Sequence, residues 1–418
     1  MISILINAIK IIFLLGFLIL IHEGGHFLVA KFFKVKVNEF SIGFGKKILS
    51  KKKGETTYSL RIVPLGGYVS MLGEEERSDD ERSFSKQSIP KRIAIVAAGG
   101  LVNILFGLLI YFIILFIMGN FSSRTVDSVV ENYGAENAGI LAGDEIVSIN
   151  NKHVFISKDV NNQLQKSGNK EINVVVRRNN KKIEIKVNPT EVKTRTLGVY
   201  LDSDDENKTR VTYIFEDSIV KDILRKGDII VTINGINVEN NREKLTDEIN
   251  NSQGEISIRY KSGNEEKEAV VTPNEISTYY LGIVFKKADK SFGNRLYYSW
   301  FETGNFMLSL ADNVKDLFSA KVSVDQMMGP IGISKTVAKT NSFYEFIYLM
   351  ALISISLGIT NLLPIPALDG GKILILLIEA IRRKPMKQEI ELMIQFVGFA
   401  LLIGLSIYIG ILDVARFF

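Results

Sequence analysis

The sequence predicts an α-helical polytopic membrane protein with about four transmembrane helices, a membrane-associated β element and two β-rich α+β domains outside the cytoplasm. Three observations predict it. In a chain of 418 residues, 46% hydrophobic and 23% charged residues coexist, so the two classes are segregated along the sequence. Four stretches, Ile2–Ala30, Ile93–Met118, Phe343–Leu363 and Ile390–Ile411, stay apolar over the roughly 20 residues a helix needs to cross about 30 Å of hydrocarbon. Between the second and third stretches one short pattern occurs twice.

The first stretch is interrupted by Lys10, His22, Glu23 and His26. Ionisable side chains at that depth are costly and usually face a protein interior or a water-filled cavity, so a functional role is the first suspicion. A cleaved signal peptide is the alternative, but no basic segment precedes the apolar run and no small-residue cleavage site follows it. Lysines crowd the loop between Lys31 and Arg92, and the turn Arg382–Lys387 is also basic, which places both in the cytoplasm. Residues 120–341 and both termini then face the other side. The formal charge of +5 follows from this topology and calls for no nucleic acid partner. There is no cysteine, so any metal site is built from histidine and carboxylates.

The repeated pattern is Ala142-Gly-Asp-Glu-Ile-Val-Ser-Ile-Asn150, which recurs as Lys226-Gly-Asp-Ile-Ile-Val-Thr-Ile-Asn234. A repeat at one fixed offset means two copies of one domain. Gly-Asp before an alternating run reads as a tight turn entering a half-buried strand, and Asn234-Gly235 closes a hairpin. This pattern resembles a PDZ domain, which binds an extended peptide as an added strand; two spacers with occluded grooves are the other reading. Between Lys36 and Met71, the alternation over Tyr58–Val63 leads into Pro64-Leu-Gly-Gly-Tyr-Val69. A short sheet under the membrane with a free edge for a substrate strand fits these residues, as does an ordinary loop hairpin. Phe292–Phe318 mixes Trp300, Phe301, Phe306, Met307 and Leu310 with charges at a spacing that suits an interfacial amphipathic helix.

These readings divide the chain into a first helix (1–33), a cytoplasmic or re-entrant β region (34–92), a second helix (93–118) and two domains (121–193 and 194–288). An amphipathic region (289–340), a third span containing Asp369 (341–380) and a fourth helix with the C-terminus (388–418) complete it.

His22-Glu23-Gly24-Gly25-His26 is an HExxH motif in a helical apolar segment. The i, i+4 spacing sets both imidazoles on one face, one turn apart, where two neutral ring nitrogens can reach one Zn²⁺. Glu23 lies on an adjacent face and suits a general base rather than a ligand. Only three histidines exist in the chain, and two occupy this motif. A catalytic zinc normally has three protein ligands and an open position. With His153 inside the first repeat, the third ligand is expected to be a carboxylate near a span. Asp369, in Asn361-Leu-Leu-Pro-Ile-Pro-Ala-Leu-Asp-Gly-Gly371, fits best, because prolines and glycines there break a helix within the membrane. A helix N-cap is the competing role for Asp369.

HExxH in the first apolar helix, the NxxPxPxLDG signature around Asp369, Gly329-Pro-Ile-Gly-Ile333, Gly66-Gly-Tyr-Val69 and the tandem repeat together resemble the site-2 protease family of intramembrane zinc metalloproteases. The resemblance covers nearly the whole chain. It implies that His22, His26 and Asp369 are zinc ligands, that Glu23 is the catalytic base, and that Asn361 helps hold the substrate backbone. It also implies that the Lys36–Met71 region, with Gly66, Gly67 and Tyr68, aligns substrate as a strand. The implied reaction is hydrolysis, with Zn²⁺ as cofactor, of peptide bonds in transmembrane segments of single-span regulatory proteins resembling anti-sigma factors, or in remnant signal peptides. The implied location is a bacterial cytoplasmic (inner) membrane. The partners are those substrates, the lipid bilayer and peptide ligands of the PDZ pair. Two positions depart from the family: Gly100, where relatives often carry Pro and which should loosen the turn, and Lys372, where they often carry His. A noncatalytic membrane scaffold that binds exposed termini is the rival reading, although a scaffold needs neither Glu23 nor the histidine pair.

Overall fold

The computed structural model describes residues 2–74, 76, 78–202, 208–215, 217–318, 329–340 and 342–417. In chain order, helix α1 (Ile2–Phe32) is followed by strands β1 (Val37–Lys53) and β2 (Thr56–Met71) and helix α2 (Ile89–Met118). Next come β3 (Ser122–Val129), α3 (Gly134–Asn137), β4 (Glu145–Ile149), β5 (Lys152–His153), α4 (Ser157–Ser167), β6 (Ile172–Arg178), β7 (Lys181–Val187), β8 (Thr190–Thr196) and β9 (Val199–Leu201). They are followed by β10 (Val211–Ile214), β11 (Ile229–Ile233), β12 (Ile236–Asn237), α5 (Arg242–Asn251), β13 (Ile256–Ser262), β14 (Glu265–Val271), β15 (Asn274–Tyr280) and β16 (Ile283–Lys287). Helices α6 (Phe292–Phe318), α7 (Pro330–Ala338), α8 (Phe343–Asn361), α9 (Asp369–Arg382) and α10 (Gln388–Phe417) complete the chain. It divides into two compact units, residues 1–119 with 291–418, and residues 120–290.

Among the described residues, α1, α2, α8 and α10, all in the first unit, are the helices long and apolar enough to cross a membrane. Ser342 caps α8 by accepting from the Glu345 amide, and Pro90 in the first turn of α2 loses no helical hydrogen bond. Helix α6 occupies the predicted amphipathic stretch; residues 319–328 of that region lie outside the described residues. Its Phe306 stacks on Tyr111 of α2 at 4.4 Å, while Trp300 and Met307 are exposed. Helix α7 carries the Gly329-Pro-Ile-Gly segment and is held at both ends. Its N-terminal amides of Gly329 and Gly332 donate to the buried Asp413 carboxylate of α10 (3.3 and 2.8 Å), and Lys10 of α1 donates to Thr340 O just beyond its C-terminus (2.9 Å). Each charge has the sign that complements the helix dipole at its end.

Strands β1 and β2 both bend, so that segments 47–53, 56–61, 37–42 and 67–71 lie side by side in that order. Tyr58–Leu60 is therefore interior, paired with Phe40–Ile42 on one side and Leu49–Lys51 on the other, and it has no free edge to offer. This corrects the expectation for the Tyr58–Leu60 part of Tyr58–Val63: the outer segments are 47–53 and 67–71. Gly66 lies in the bend before 67–71 with φ 127°, and a Cβ on Gly67 would come within 2.7 Å of the Ser41 carbonyl. Val35, Val37, Val69, Met71 and Phe84 seat this sheet on Ala30 of α1, Ile95 of α2 and Leu376 of α9.

The second unit shows the repeat as structure. Asp144 and Asp228 are buried, and each accepts the amide three residues before it (Leu141, 3.0 Å; Arg225, 2.8 Å), which closes the tight turn ahead of β4 and β11. Asn234-Gly235 joins β11 to β12 as a two-residue hairpin, both residues with positive φ. The main sheets run β16-β3-β4-β6-β7 and β12-β11-β13-β14, and β8 pairs with β15 across the repeats. Each copy has its own core, one around Ile146, Val174 and Leu164, the other around Ile230, Ile258 and Leu245. Strand β16, placed by sequence in the second domain (194–288), pairs with β3 of the first repeat, as β9 pairs with β10 in the second. The second copy is thus inserted before the last strand of the first.

Candidate metal centre

Helix α1 presents His22 and His26 on one face, as the HExxH spacing requires, and both are buried. Helix α8 ends at Asn361, the chain turns through 362–368, and Asp369 becomes the first residue of α9. Leu368, not Asp369, occupies the N-cap position, and no side chain caps this helix; the capping role considered for Asp369 is therefore absent. Instead the carboxylate turns to the imidazoles. His22 Nε2 lies 3.2 Å from Asp369 Oδ2, His26 Nε2 lies 3.4 Å from the same oxygen, and the two Nε2 atoms are 3.2 Å apart.

Only a proton on His22 Nε2 could link those three atoms, and His22 Nδ1 would then be left a buried acceptor without a partner among the described residues. His26 Nδ1 is 2.9 Å from the carbonyl of Ile95, which only accepts, so Nδ1 carries the proton and a neutral ring turns a lone pair toward its neighbours. Asp369 Oδ2 likewise has no hydrogen-bond partner within the described residues. With the proton on His22 Nδ1 instead, three electron-rich atoms face one point, an arrangement that suits a cation. A tetrahedral Zn²⁺ with ligands at about 2.0–2.1 Å separates them by roughly 3.3–3.4 Å, close to the spacing found. The donor set fits the metal, with nitrogen and oxygen ligands and no sulfur.

The neighbouring helix makes room for the rings. A Cβ on Gly99 of α2 would collide with His26 Nε2 and stand 2.7 Å from His22 Cε1, so only a bare backbone can pass there. Gly100, expected to loosen a turn, lies within an unbroken α2, because it faces α8: its Cβ would meet Leu362 Cγ at 2.7 Å and Gly358 O at 2.9 Å. Sequence reasoning missed Gly99 as a site residue and the Ile95 carbonyl as the partner that orients His26. The first could have been sought in the Gly-Gly pair of an apolar helix; a backbone carbonyl leaves no trace in sequence.

Beside the cluster opens a cavity of about 960 Å³, bordered by Tyr68–Met71 of the edge strand, Ala367–Asp369, and Leu392 and Gln395 of α10. Glu23 has Cγ 3.4 Å from the position of a Gly67 Cβ, so it stands against the strand that borders this cavity. Tyr68 lines the cavity, with its hydroxyl accepting from Arg61 Nη2 at 2.6 Å. Gly66, Gly67 and Asn361 are not among its lining residues. Lys372 forms a 2.7 Å ion pair with Glu74 at the cavity wall. His153 belongs to the second unit, where it is exposed beside Arg124.

The histidine–histidine–carboxylate cluster beside a glutamate, set in apolar helices, has a donor set that could hold a metal ion. The chain belongs to peptidase family M50, the site-2 protease family, whose model matches residues 10–405. It is 31% identical over 98% of its length to a protein of Clostridium acetobutylicum, 97% of which is covered and whose name assigns it provisionally to the zinc metalloproteases. A protein of Thermotoga maritima with a name of the same kind is also 31% identical, with 97% and 98% of the two chains covered. The regulator of sigma-W protease RasP of Bacillus subtilis is 26% identical over 99% of both chains. The scaffold reading gives way to an enzyme that uses Zn²⁺.

Proposed function

We propose that this protein is an intramembrane endopeptidase in which His22, His26 and Asp369 hold Zn²⁺ and Glu23 is the general base. The observation that carries the reading is the convergence of two imidazole nitrogens and one carboxylate oxygen, 3.2–3.4 Å apart, from helices remote in sequence. Bound there, Zn²⁺ supplies Lewis acidity, which makes a water nucleophilic at neutral pH and offsets the negative charge that develops on the scissile carbonyl. Glu23 takes the proton of the attacking water and passes it to the leaving amine. Ile95 holds the His26 tautomer, and Gly99 lets both rings approach.

A transmembrane helix hides its carbonyls in its own hydrogen bonds and has to unwind before attack. The open edge at Tyr68–Met71, lining the cavity beside Asp369, offers main-chain partners to the unwound segment. The substrates on this reading are single-span regulatory proteins, already clipped outside the membrane, or remnant signal peptides. Regulated proteolysis of this kind matches the name of the Bacillus subtilis relative, and Asn361 is proposed to assist in holding the substrate backbone. The second unit is read as two PDZ domains on the extracytoplasmic side of a bacterial inner membrane, where they exclude untrimmed substrates. Its first copy has a groove of about 410 Å³ between α4 and β16, which peptide capture would use instead.

Substitution of Asp369 by Ala tests the ligand set. The purified variant is expected to lose zinc and proteolysis together; zinc and activity that both survive would assign the third ligand elsewhere. Comparing the membrane proteins that accumulate in cells carrying Glu23→Gln with those in wild-type cells names the substrate.

A further inference from the structure

We infer that Gln395 of α10 is a positioning residue for the metal site, acting through the backbone of Ala367. The inference rests on Asp369 being a zinc ligand. Ala367, two residues before Asp369, has φ 73°, a left-handed conformation that a side chain with a Cβ rarely adopts. Its amide donates to Gln395 Oε1 at 2.6 Å. One turn along α10, Gly398 packs against the preceding residue so closely that a Cβ there would stand 2.5 Å from Pro366 O. Helix α10 therefore grips the Pro366-Ala367 turn through one hydrogen bond and one bare backbone contact. That turn sets the direction in which Asp369 leaves the loop and enters α9.

An αL residue without glycine persists only where its surroundings over-determine it. The tertiary hold here comes from the helix that also supplies Leu392 and Gln395 to the cavity wall. A displacement of α10 that breaks the bond to Ala367 lets the turn relax and carries Asp369 away from His22 and His26. Metal retention and the position of this cavity wall are thereby coupled through one side chain.

The test is a zinc competition against a chelator on purified full-length protein, with turnover of a reporter transmembrane substrate measured alongside. Gln395→Ala is expected to weaken zinc about 10–100-fold, as loss of a residue supporting a metal ligand does, and to lower kcat with KM little changed. Gln395→Glu retains an acceptor for the Ala367 amide and is expected to bind zinc close to wild type, well short of the about 10–100-fold loss expected for a removed support. Ala367→Gly added to Gln395→Ala should recover most of the lost affinity, because glycine adopts positive φ unaided. A role in packing alone gives no such recovery. Wild-type affinity in Gln395→Ala, or no recovery in the double variant, would overturn the inference. Asp369→Ala run in parallel separates the two failures: if it loses zinc while Gln395→Ala does not, the ligand set stands and the role of Gln395 falls.

Discussion

His26 Nδ1 donates to the carbonyl oxygen of Ile95 at 2.9 Å, and that bond fixes which ring nitrogen is left to face His22 and Asp369. The acceptor is main chain on α2, so the orientation of a ligand on α1 depends on how closely the two helices pass. Gly99, one helical turn after Ile95, sets that distance.

Gly99→Ala should therefore displace both imidazoles. Zinc affinity is expected to fall about 10–100-fold, the range seen when support for a ligand is lost, while the helices remain folded. Chelator competition together with circular dichroism checks this. Unchanged affinity would mean that α2 can move aside without cost to the site.

Proline scanning separates the two halves of β2. Within Tyr68–Met71, proline should abolish cleavage at those positions whose amide faces the cavity and leave zinc bound, because it removes a donor from the open edge. Within Tyr58–Leu60, proline removes ladder bonds inside the sheet and should destabilise the hairpin itself. The readouts are zinc content, reporter cleavage and protease resistance of the hairpin. Full cleavage across Tyr68–Met71 would show that substrate does not pair there.

The hairpin should also carry an acid limit. Burial would raise the Glu39 carboxyl, but hydrogen bonds from Ser59, Arg61 and Lys47 and the Lys47 charge outweigh it and hold its pKa at about 2 against an ordinary 4.5. A depressed folded-state pKa contributes stability that is fully present above 4.5 and is lost as the pH falls toward 2. Hydrogen-exchange protection of β1 and β2, taken relative to the intrinsic rate at each pH, should fall across that window in the wild type and change less in Glu39→Gln. Identical acid profiles would remove Glu39 from the account.

Much of this was legible in sequence, for a physical reason in each case. Apolar runs that must span a bilayer announce α1, α2, α8 and α10 by length alone, and the fixed helical spacing of His22 and His26 predicts their shared face. The repeat around Asp144 and Asp228 is visible because a buried carboxylate closing a turn tolerates few substitutes. Strand neighbours were not legible. Alternation at Tyr58–Val63 marks a strand but not whether it is interior or edge, and β16 reads as the end of one repeat while pairing with the other. The grip of Gln395 on Ala367 was equally silent, since a main-chain amide partner has no residue code.

The role of the second unit is open to a direct contrast. Because β16 pairs with β3, the whole of 120–290 has to be replaced by a flexible linker, not a part that leaves one strand behind. A size filter predicts that untrimmed substrate becomes cleavable in this variant. Continued rejection of untrimmed substrate, with slower cutting of trimmed substrate, would favour peptide capture.

Whether Glu23 acts as a base beside a metal held by His22, His26 and Asp369 is decided by Glu23→Gln, with zinc content and turnover measured on the same purified sample. The amide keeps the shape of the side chain but cannot take a proton. The variant is expected to carry a full complement of zinc, with cleavage of a reporter transmembrane substrate reduced by about 10²–10⁴-fold. Wild-type turnover in a zinc-loaded variant would contradict that role for Glu23.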